Sequence, residues 1–321
     1  MKKLLLASAI AALGITAAQA APTVYGKAFL TLDVQDGDNA NTIQGEYDPR
    51  TQLNSNSSRI GLKGSNALTN NTNLLYQLEY GVKVDDNSTQ FKSRDTYLGL
   101  ANKQYGTLVA GRLTAIDDYV NYANEAQGGV IGGNGVLASF DAPRANNTFA
   151  YFSPERHGLQ LLAMYTLDEN KQTDSLGRDA FGVAAKYEPA NAPYKVGASY
   201  VQSGDALKAI RVSGAYAINP ALTASALYQH TDYNTKDNEN AFTVSANYKV
   251  AQTPWTAYGQ LDFVDNTKGV KDSEAQRVAV GGKYKFNKAT TGHVYGALLK
   301  REVAGVDADA YGIGGGIEYK F

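Results

Sequence analysis

The sequence predicts an all-β chain, a transmembrane antiparallel β-barrel of 16 strands, and three observations carry that prediction. Segments of period-two polarity recur along almost its whole length. The connections between them alternate between two kinds, short turns rich in Pro, Asn and Gly and longer stretches rich in acids and amides. The last such segment, "YGIGGGIEYKF", runs to the final residue with no cap or turn.

The first element is not a strand. "MKKLLLASAIAALGITAAQA" opens on Lys2 and Lys3, continues as an apolar run from Leu4 to Thr16 and ends on Ala18-Gln19-Ala20. That is the pattern of a secretory signal peptide at 1–20, cut after Ala20. Its apolar run is shorter than the ~20 residues a spanning helix needs. The barrel domain is then 21–321. Losing Lys2 and Lys3 lowers Lys+Arg from 30 to 28 against 31 Asp+Glu, which is no nucleic-acid binder's balance. There is no cysteine, so an exported chain must hold together without disulfides. No later segment has 18 consecutive apolar residues, which excludes a transmembrane helix.

The strands follow at roughly 23–35, 58–66, 71–84, 94–102, 106–113, 147–154, 158–168, 178–188, 193–203, 207–218, 221–232, 239–250, 253–265, 274–286, 289–303 and 308–321. In "NLLYQLEYGVK", Leu74, Tyr76, Leu78 and Tyr80 share one side, and Gln77, Glu79 and Lys83 the other. In "FTVSANYKV", Phe242, Val244, Ala246 and Tyr248 alternate with Thr243, Ser245, Asn247 and Lys249. Side chains alternate faces along a strand, so each segment is one-sided. Turns such as "SPERHG", "EPANAP", "INPA" and "AQTP" hold Pro154, Pro189, Pro193, Pro220 and Pro254. Proline cannot donate to a ladder, so it belongs where strands end. Long loops at one end and tight turns at the other is the layout of an outer-membrane barrel. Tyr80, Tyr187, Tyr200, Tyr216, Tyr248 and Tyr319 lie near strand ends, as interfacial aromatic girdles require.

Alternating strands also build secreted sandwiches and jelly rolls, with the apolar face inside. The number of strands, the alternation of connection types and the uncapped last strand favour the barrel, and no short repeat suggests a β-helix. In lipid, a sheet must close on itself to pair every backbone group. The first strand, "TVYGKAFLTLDV", is therefore expected beside the last, with Ala21 and Phe321 meeting on the short-turn side.

At this point the chain resembles a family. "SSRIGLKGS", "LLYQLEYGV", "RDTYLGLANKQYGTLVAGRL", "NTFAYFSP", "GLQLLAMYT" and "GGIEYKF" are similar to segments of the general diffusion porins of Gram-negative bacteria, the type common in Neisseria, Burkholderia-like and Moraxella-like organisms. Each motif is weak, but their order and spacing are specific, and the loops depart most. The resemblance implies a homotrimer in the cell outer membrane, among lipid and lipopolysaccharide, passing small hydrophilic solutes and ions. It implies a long third extracellular loop folded into the lumen. It also marks Tyr319 and Phe321 as an assembly signal for the barrel insertion machinery.

The loop candidate is 114–146, "TAIDDYVNYANEAQGGVIGGNGVLASFDAPRAN", the longest connection. Connections of that length are usually functional or disordered. Tyr119, Tyr122, Val130, Ile131, Leu137 and Phe140 make it too apolar for a solvated flap, and it carries Asp117, Asp118 and Glu125. Arg59 is expected inward, because Ile60 and Leu62 then face lipid or the trimer contact. Arg94 and Arg112 sit on the strands that follow and match arginines of the family's motifs, and Arg144 lies where the loop rejoins the wall. These four are expected to face the three acids across a constriction, with a weak preference for anions.

Motifs for chemistry do not assemble. "GGVIGGNG" lacks the Lys-Ser/Thr of a phosphate loop. "GIGGGIE" lacks the third glycine of a dinucleotide fingerprint. "DGDNAN" from Asp36 starts like a calcium loop, but Ala40 breaks it. His157, His230 and His293 have no metal-ligand spacing. No catalytic residue, metal or cofactor is expected. The alternatives are a barrel enzyme, which needs a nucleophile, a His and an acid on one rim, and a closed structural barrel or adhesin, which would not conduct.

Overall fold

The computed structural model describes residues 21–37, 49–87, 90–129, 131, 135–167, 169, 176, 179–234, 237–303 and 305–321. The predicted signal peptide and most of "DGDNAN" lie outside the described residues. The strands are β1 (Thr23–Gly37), β2 (Arg50–Ser55), β3 (Arg59–Ala67), β4 (Thr72–Gly81), β5 (Lys92–Ser93), β6 (Thr96–Asn102), β7 (Gly106–Thr114), β8 (Arg144–Phe152) and β9 (Leu159–Thr166). There follow β10 (Ala180–Tyr187), β11 (Tyr194–Ser203), β12 (Leu207–Ala217), β13 (Leu222–Asp232), β14 (Glu239–Lys249), β15 (Trp255–Asp265), β16 (Glu274–Lys285), β17 (Thr290–Val303) and β18 (Val306–Lys320). All pair antiparallel in one sheet, and β1 pairs both with β18 and with β2 and β3, which closes it. β2 and β3 are two parts of one barrel strand, as are β5 and β6, so 18 segments make 16 strands.

One segment departs from the expected pattern. Arg50–Ser55 reads as loop because it is polar, yet it pairs with β1 from Leu30–Ser55 to Gln35–Arg50. It lies at the long-loop end, where side chains need not match an apolar band. At Asn56–Ser58 the register with β1 slips by one residue. Leu53 and Ile60 are an odd number of residues apart, and only such a bulge lets both face outward, as they do. Asn56 N–H still donates to the Phe29 carbonyl at 2.8 Å. Ser58 Oγ accepts from Phe29 N–H at 3.0 Å. The break costs the sheet little pairing.

Polarity settles which face is which. Leu32, Val212, Leu261 and Val280 are exposed on the outer face, whereas Arg211, Gln229, Gln260 and Asp262 are buried on the inner one. A soluble sandwich would invert this. Aromatic pairs such as Tyr187–Tyr194, Trp255–Tyr284 and Tyr284–Phe286 gather at the tight-turn end, where a girdle would meet the membrane interface. Val212, midway along β12, is 51% exposed. We predict that Val212→Arg, placed near the bilayer midplane, destabilises the folded barrel by about 2–4 kcal/mol. Urea unfolding in lipid vesicles reads this directly. A midpoint unchanged from the parent would show that Val212 does not meet lipid.

The chain ends meet at the tight-turn end. Gly26 N–H donates to the Phe321 carbonyl at 2.9 Å, and Phe321 N–H returns a bond to the Gly26 carbonyl at 3.2 Å. The Phe321 ring lies over Gly26, where a Cβ would come within 2.3 Å of its Cζ and 2.9 Å of the Arg59 carbonyl. Glycine is needed there for close approach.

Candidate functional site

A segment between β7 and β8 lies against the inner wall, starting with a 3-10 turn at Ile116–Val120. Irregular backbone can sit inside a membrane protein only if its polar groups find partners. Here the inward side chains supply them. Tyr122 N–H donates to Ser213 Oγ on β12 at 3.1 Å. Gln260 Oε1 on β15 accepts from both Glu125 and Ala126 N–H at 2.8 Å. Gly129 N–H donates to the Tyr295 hydroxyl on β17 at 3.0 Å, and that hydroxyl bonds Asp33 on β1. On the way back, the Gly135 carbonyl accepts from Arg277 Nη2 at 2.7 Å and from Gln260 Nε2 at 3.1 Å. Ser139 N–H donates to Glu239 Oε1 at 2.9 Å. Apolar contacts run beside these bonds. Ile116, Val120 and Phe140 pack with Leu162, Met164 and Val201, while Ile131 packs with Ala297, Leu299 and Ala310. Val130 lies outside the described residues.

Arg211 on β12 is the largest of the fully buried anchors, 1% exposed. Its guanidinium reaches Asp117 Oδ2 at 3.4 Å and Asp141 Oδ1 at 2.9 Å, and donates to the Phe140 carbonyl at 3.1 Å and Gln229 Oε1 at 2.7 Å. Gln229 Nε2 bonds the same Phe140 carbonyl at 2.7 Å. Ala142 N–H completes the cluster by donating to Asp117 Oδ2 at 2.8 Å. Arg277 on β16 is paired with Asp262 Oδ2 at 2.8 Å, and Thr243 Oγ1 donates to the other oxygen of that carboxylate at 2.7 Å. Burying charges is tolerated only with pairing and hydrogen bonds of this kind. Arg211, Gln229, Gln260 and Arg277 were not among the expected site residues. Their signal was a polar side chain inside an apolar alternation, as in "AIRVSGAY".

The expected arginines form a second cluster on the other side, around two carboxylates. Glu79 on β4 accepts from Arg94 Nε at 2.7 Å and the Tyr25 hydroxyl at 3.0 Å, with Arg59 Nε at 3.6 Å. Asp95 accepts from Arg144 Nε at 2.8 Å and Thr114 Oγ1 at 2.7 Å. The bulges at Asn56–Ser58 and Arg94–Asp95 re-aim this stretch of wall.

Three expected placements need correction. Arg112 alternates with Gly111 and inward-facing Leu113, and it bonds the Ser93 carbonyl at 3.1 Å and Asn146 Oδ1. It therefore stands apart from Arg59, Arg94 and Arg144, because alternation along β7 puts it on the face of exposed Leu108 and opposite that of buried Val109 and Leu113. Asp117 does not look across the lumen; Arg211 holds it behind the segment. Glu125 is turned to the wall as well, toward Lys283 Nζ at 2.9 Å and Asn247 Nδ2 at 3.1 Å. Asp118 is the acid of the three with an exposed side chain. The protein packed around it, then repulsion from Asp141 and Asp117, raises its carboxyl above the usual carboxylate range, and the lumen water at its exposed side limits that rise.

A closed sheet that is apolar outside, polar within and lined by fixed charges defines an outer-membrane channel. The Gram-negative porin family profile matches residues 6–304, and the chain belongs to that family. Curated relatives include the major outer membrane protein P.IB of Neisseria sicca, 26% identical over 364 residues with both chains covered completely. P.IB of Neisseria gonorrhoeae is 26% identical with 94% of each chain covered. Among solved structures, the anion-selective porin from Comamonas acidovorans superposes with a TM-score of 0.73 at 22% identity, covering 94% of this chain and 99% of that one. The outer membrane channel DcaP of Acinetobacter baumannii gives 0.71 at 13% identity, covering 96% and 100%. The protein is a channel for passive diffusion of small hydrophilic solutes across the outer membrane, and not an enzyme.

Proposed function

We propose that the segment 115–143, the interior of the 114–146 connection, narrows this channel and that solutes pass between its Asp118 side and the wall of Arg59, Arg94 and Arg144. The observation that supports this reading most is the way the segment is bound. Its contacts run from Phe152 on β8, under Tyr119, round to Ala310 on β18, which leaves β3 and β4 with Arg59 and its partner Glu79 as the stretch of wall across from it. Two carboxylates, Glu79 and Asp95, serve three arginines there. That surplus positive charge on the wall, offset by Asp118 only while its carboxyl is ionised, gives a weak anion preference. Reversal potentials in a salt gradient test it, and a cation-preferring parent protein would refute it.

The pH dependence of selectivity follows from Asp118. Below its raised pKa the carboxyl carries a proton and the segment loses a negative charge. Selectivity should therefore shift toward anions as pH falls from 8 to 5. Asp118→Asn should show the acid-side selectivity throughout. If that variant kept the parent's pH profile, another group would be responsible.

Assembly is proposed on the same footing. Residues 1–20 direct export, Phe321 and Tyr319 are read by the insertion machinery, and the folded barrel forms a homotrimer among lipopolysaccharide. One similar structure, OmpT of Vibrio cholerae, is described in a trimer form. Unheated protein on a denaturing gel should migrate as a high-mass band that collapses on boiling. A monomer by light scattering in detergent would refute the trimer.

A further inference from the structure

The two mouths of the barrel carry opposite charge. At the tight-turn end, strand alternation aims a set of lysines inward. Lys63 lies on the face of β3 that holds Arg59, with its Nζ 4.9 Å from the centre of the Tyr25 ring. Lys195 shares a face with Gly197, which lies against Val120 of the lumen segment. Lys249 follows Asn247, and Lys285 follows Lys283, whose partners both include Glu125. Lys27 and Lys320 sit directly opposite each other across the closing seam. Like charges in that position destabilise a strand pair. Glu318 bridges them at 3.7 and 2.6 Å, one carboxylate for two ammonium groups. The other carboxylates at this end, among the described residues, include Glu188, engaged by Lys186 at 3.5 Å, and exposed Glu155.

Farther along the lumen the balance differs. Arg94, Arg144, Arg211 and Arg277 each meet a carboxylate at 2.9 Å or less. The described residues at the far end include Asp85, Asp86, Asp205, Asp232, Asp237, Asp265, Asp272 and Glu274, against Lys83, Lys208, Lys268 and Lys271. A strand of ~10 residues at ~3.3 Å each, tilted by ~45°, separates the mouths by roughly 23 Å. That is about three Debye lengths at physiological salt, where the length is ~8 Å. Each mouth therefore sets its own local ion concentration.

We infer that the lysines of the tight-turn mouth, Lys27, Lys63, Lys195, Lys249, Lys285 and Lys320, set the sign of the channel's selectivity and make its current rectify. They do so by concentrating small anions, inorganic or carboxylate, at one end of the lumen. The inference rests on the reading of the lumen as an open path past the segment 114–146, but it moves the selectivity determinant away from the arginine wall. Fixed charge at one end only favours anion entry from that side. Current at one polarity therefore exceeds current at the other.

The test uses the full-length folded protein, added to one side of a planar bilayer in potassium chloride. The parent should rectify at 0.1 M and lose rectification at 1 M, where the Debye length shrinks to ~3 Å. A variant combining Lys63→Gln, Lys195→Gln, Lys285→Gln and Lys320→Gln should conduct with a rectification ratio near one. Its anion-to-cation permeability ratio should fall at least two-fold. Arg59→Gln with Arg94→Gln should alter conductance while the rectification persists. A parent with linear currents at 0.1 M overturns the inference. So does a lysine variant that keeps the parent's rectification and reversal potential. The narrowing role of the segment fails separately, if an Arg211 variant whose segment has become open to protease still conducts like the parent.

Discussion

Arg211→Ala is expected to raise single-channel conductance, make it noisy and expose the segment 115–143 to protease, while the barrel itself persists. The variant removes the shared partner of Asp117 and Asp141 and leaves Asp117 buried against the wall. Breaking one side of a buried pair typically costs about 3–5 kcal/mol. It also strips donors from the Phe140 and Asp117 carbonyls. The cost falls on the seat of the segment, because the β12 ladder to β11 and β13 uses backbone groups that alanine retains. Arg211→Lys keeps the charge but cannot reproduce the guanidinium fork, so it should give an intermediate conductance. Conductance and heat-modifiable migration together decide the matter. A variant conducting like the parent would mean that the other bonds, from Gln260, Tyr295 and Glu239, hold the segment without Arg211.

Gly26→Val should sharply reduce the yield of folded barrel. The added Cβ meets the Phe321 ring, which could swing aside, and also the Arg59 carbonyl, which belongs to the paired backbone of β3 and cannot. Overpacking of this kind costs about 1–3 kcal/mol, and here it lies beside the last two hydrogen bonds of the closing seam. Deleting Phe321 removes those bonds and the ring together. The two variants separate packing from recognition. If deletion lowers outer-membrane levels in cells but leaves refolding into detergent intact, Phe321 acts through the insertion machinery. If both variants fail in both settings, its role is closure of the seam. Normal assembly of both would show that neither role matters.

What the sequence determined by itself was the sheet. Period-two alternation, prolines at the turns and an uncapped last strand specify 16 strands and their order, because a strand's face is a local property that lipid enforces on every residue. The meeting of the first strand with the last, at Gly26 and Phe321, followed from the even strand count. The polar β2 escaped notice for the same reason: above the membrane nothing demands alternation, and only pairing with β1 reveals it as a strand. The interior of the barrel was decided by tertiary structure. Asp117 and Glu125 looked like pore-lining acids when read along the chain, yet they turn to Arg211 and to Lys283, residues 94 and 158 positions away. Resemblance groups Arg112 with Arg94, yet on β7 it shares the face of exposed Leu108 and not that of buried Val109 and Leu113. An irregular segment has no period to carry its facing. Its conformation is set by which distant strands offer donors and acceptors to its backbone, and only the closed barrel brings those strands within reach.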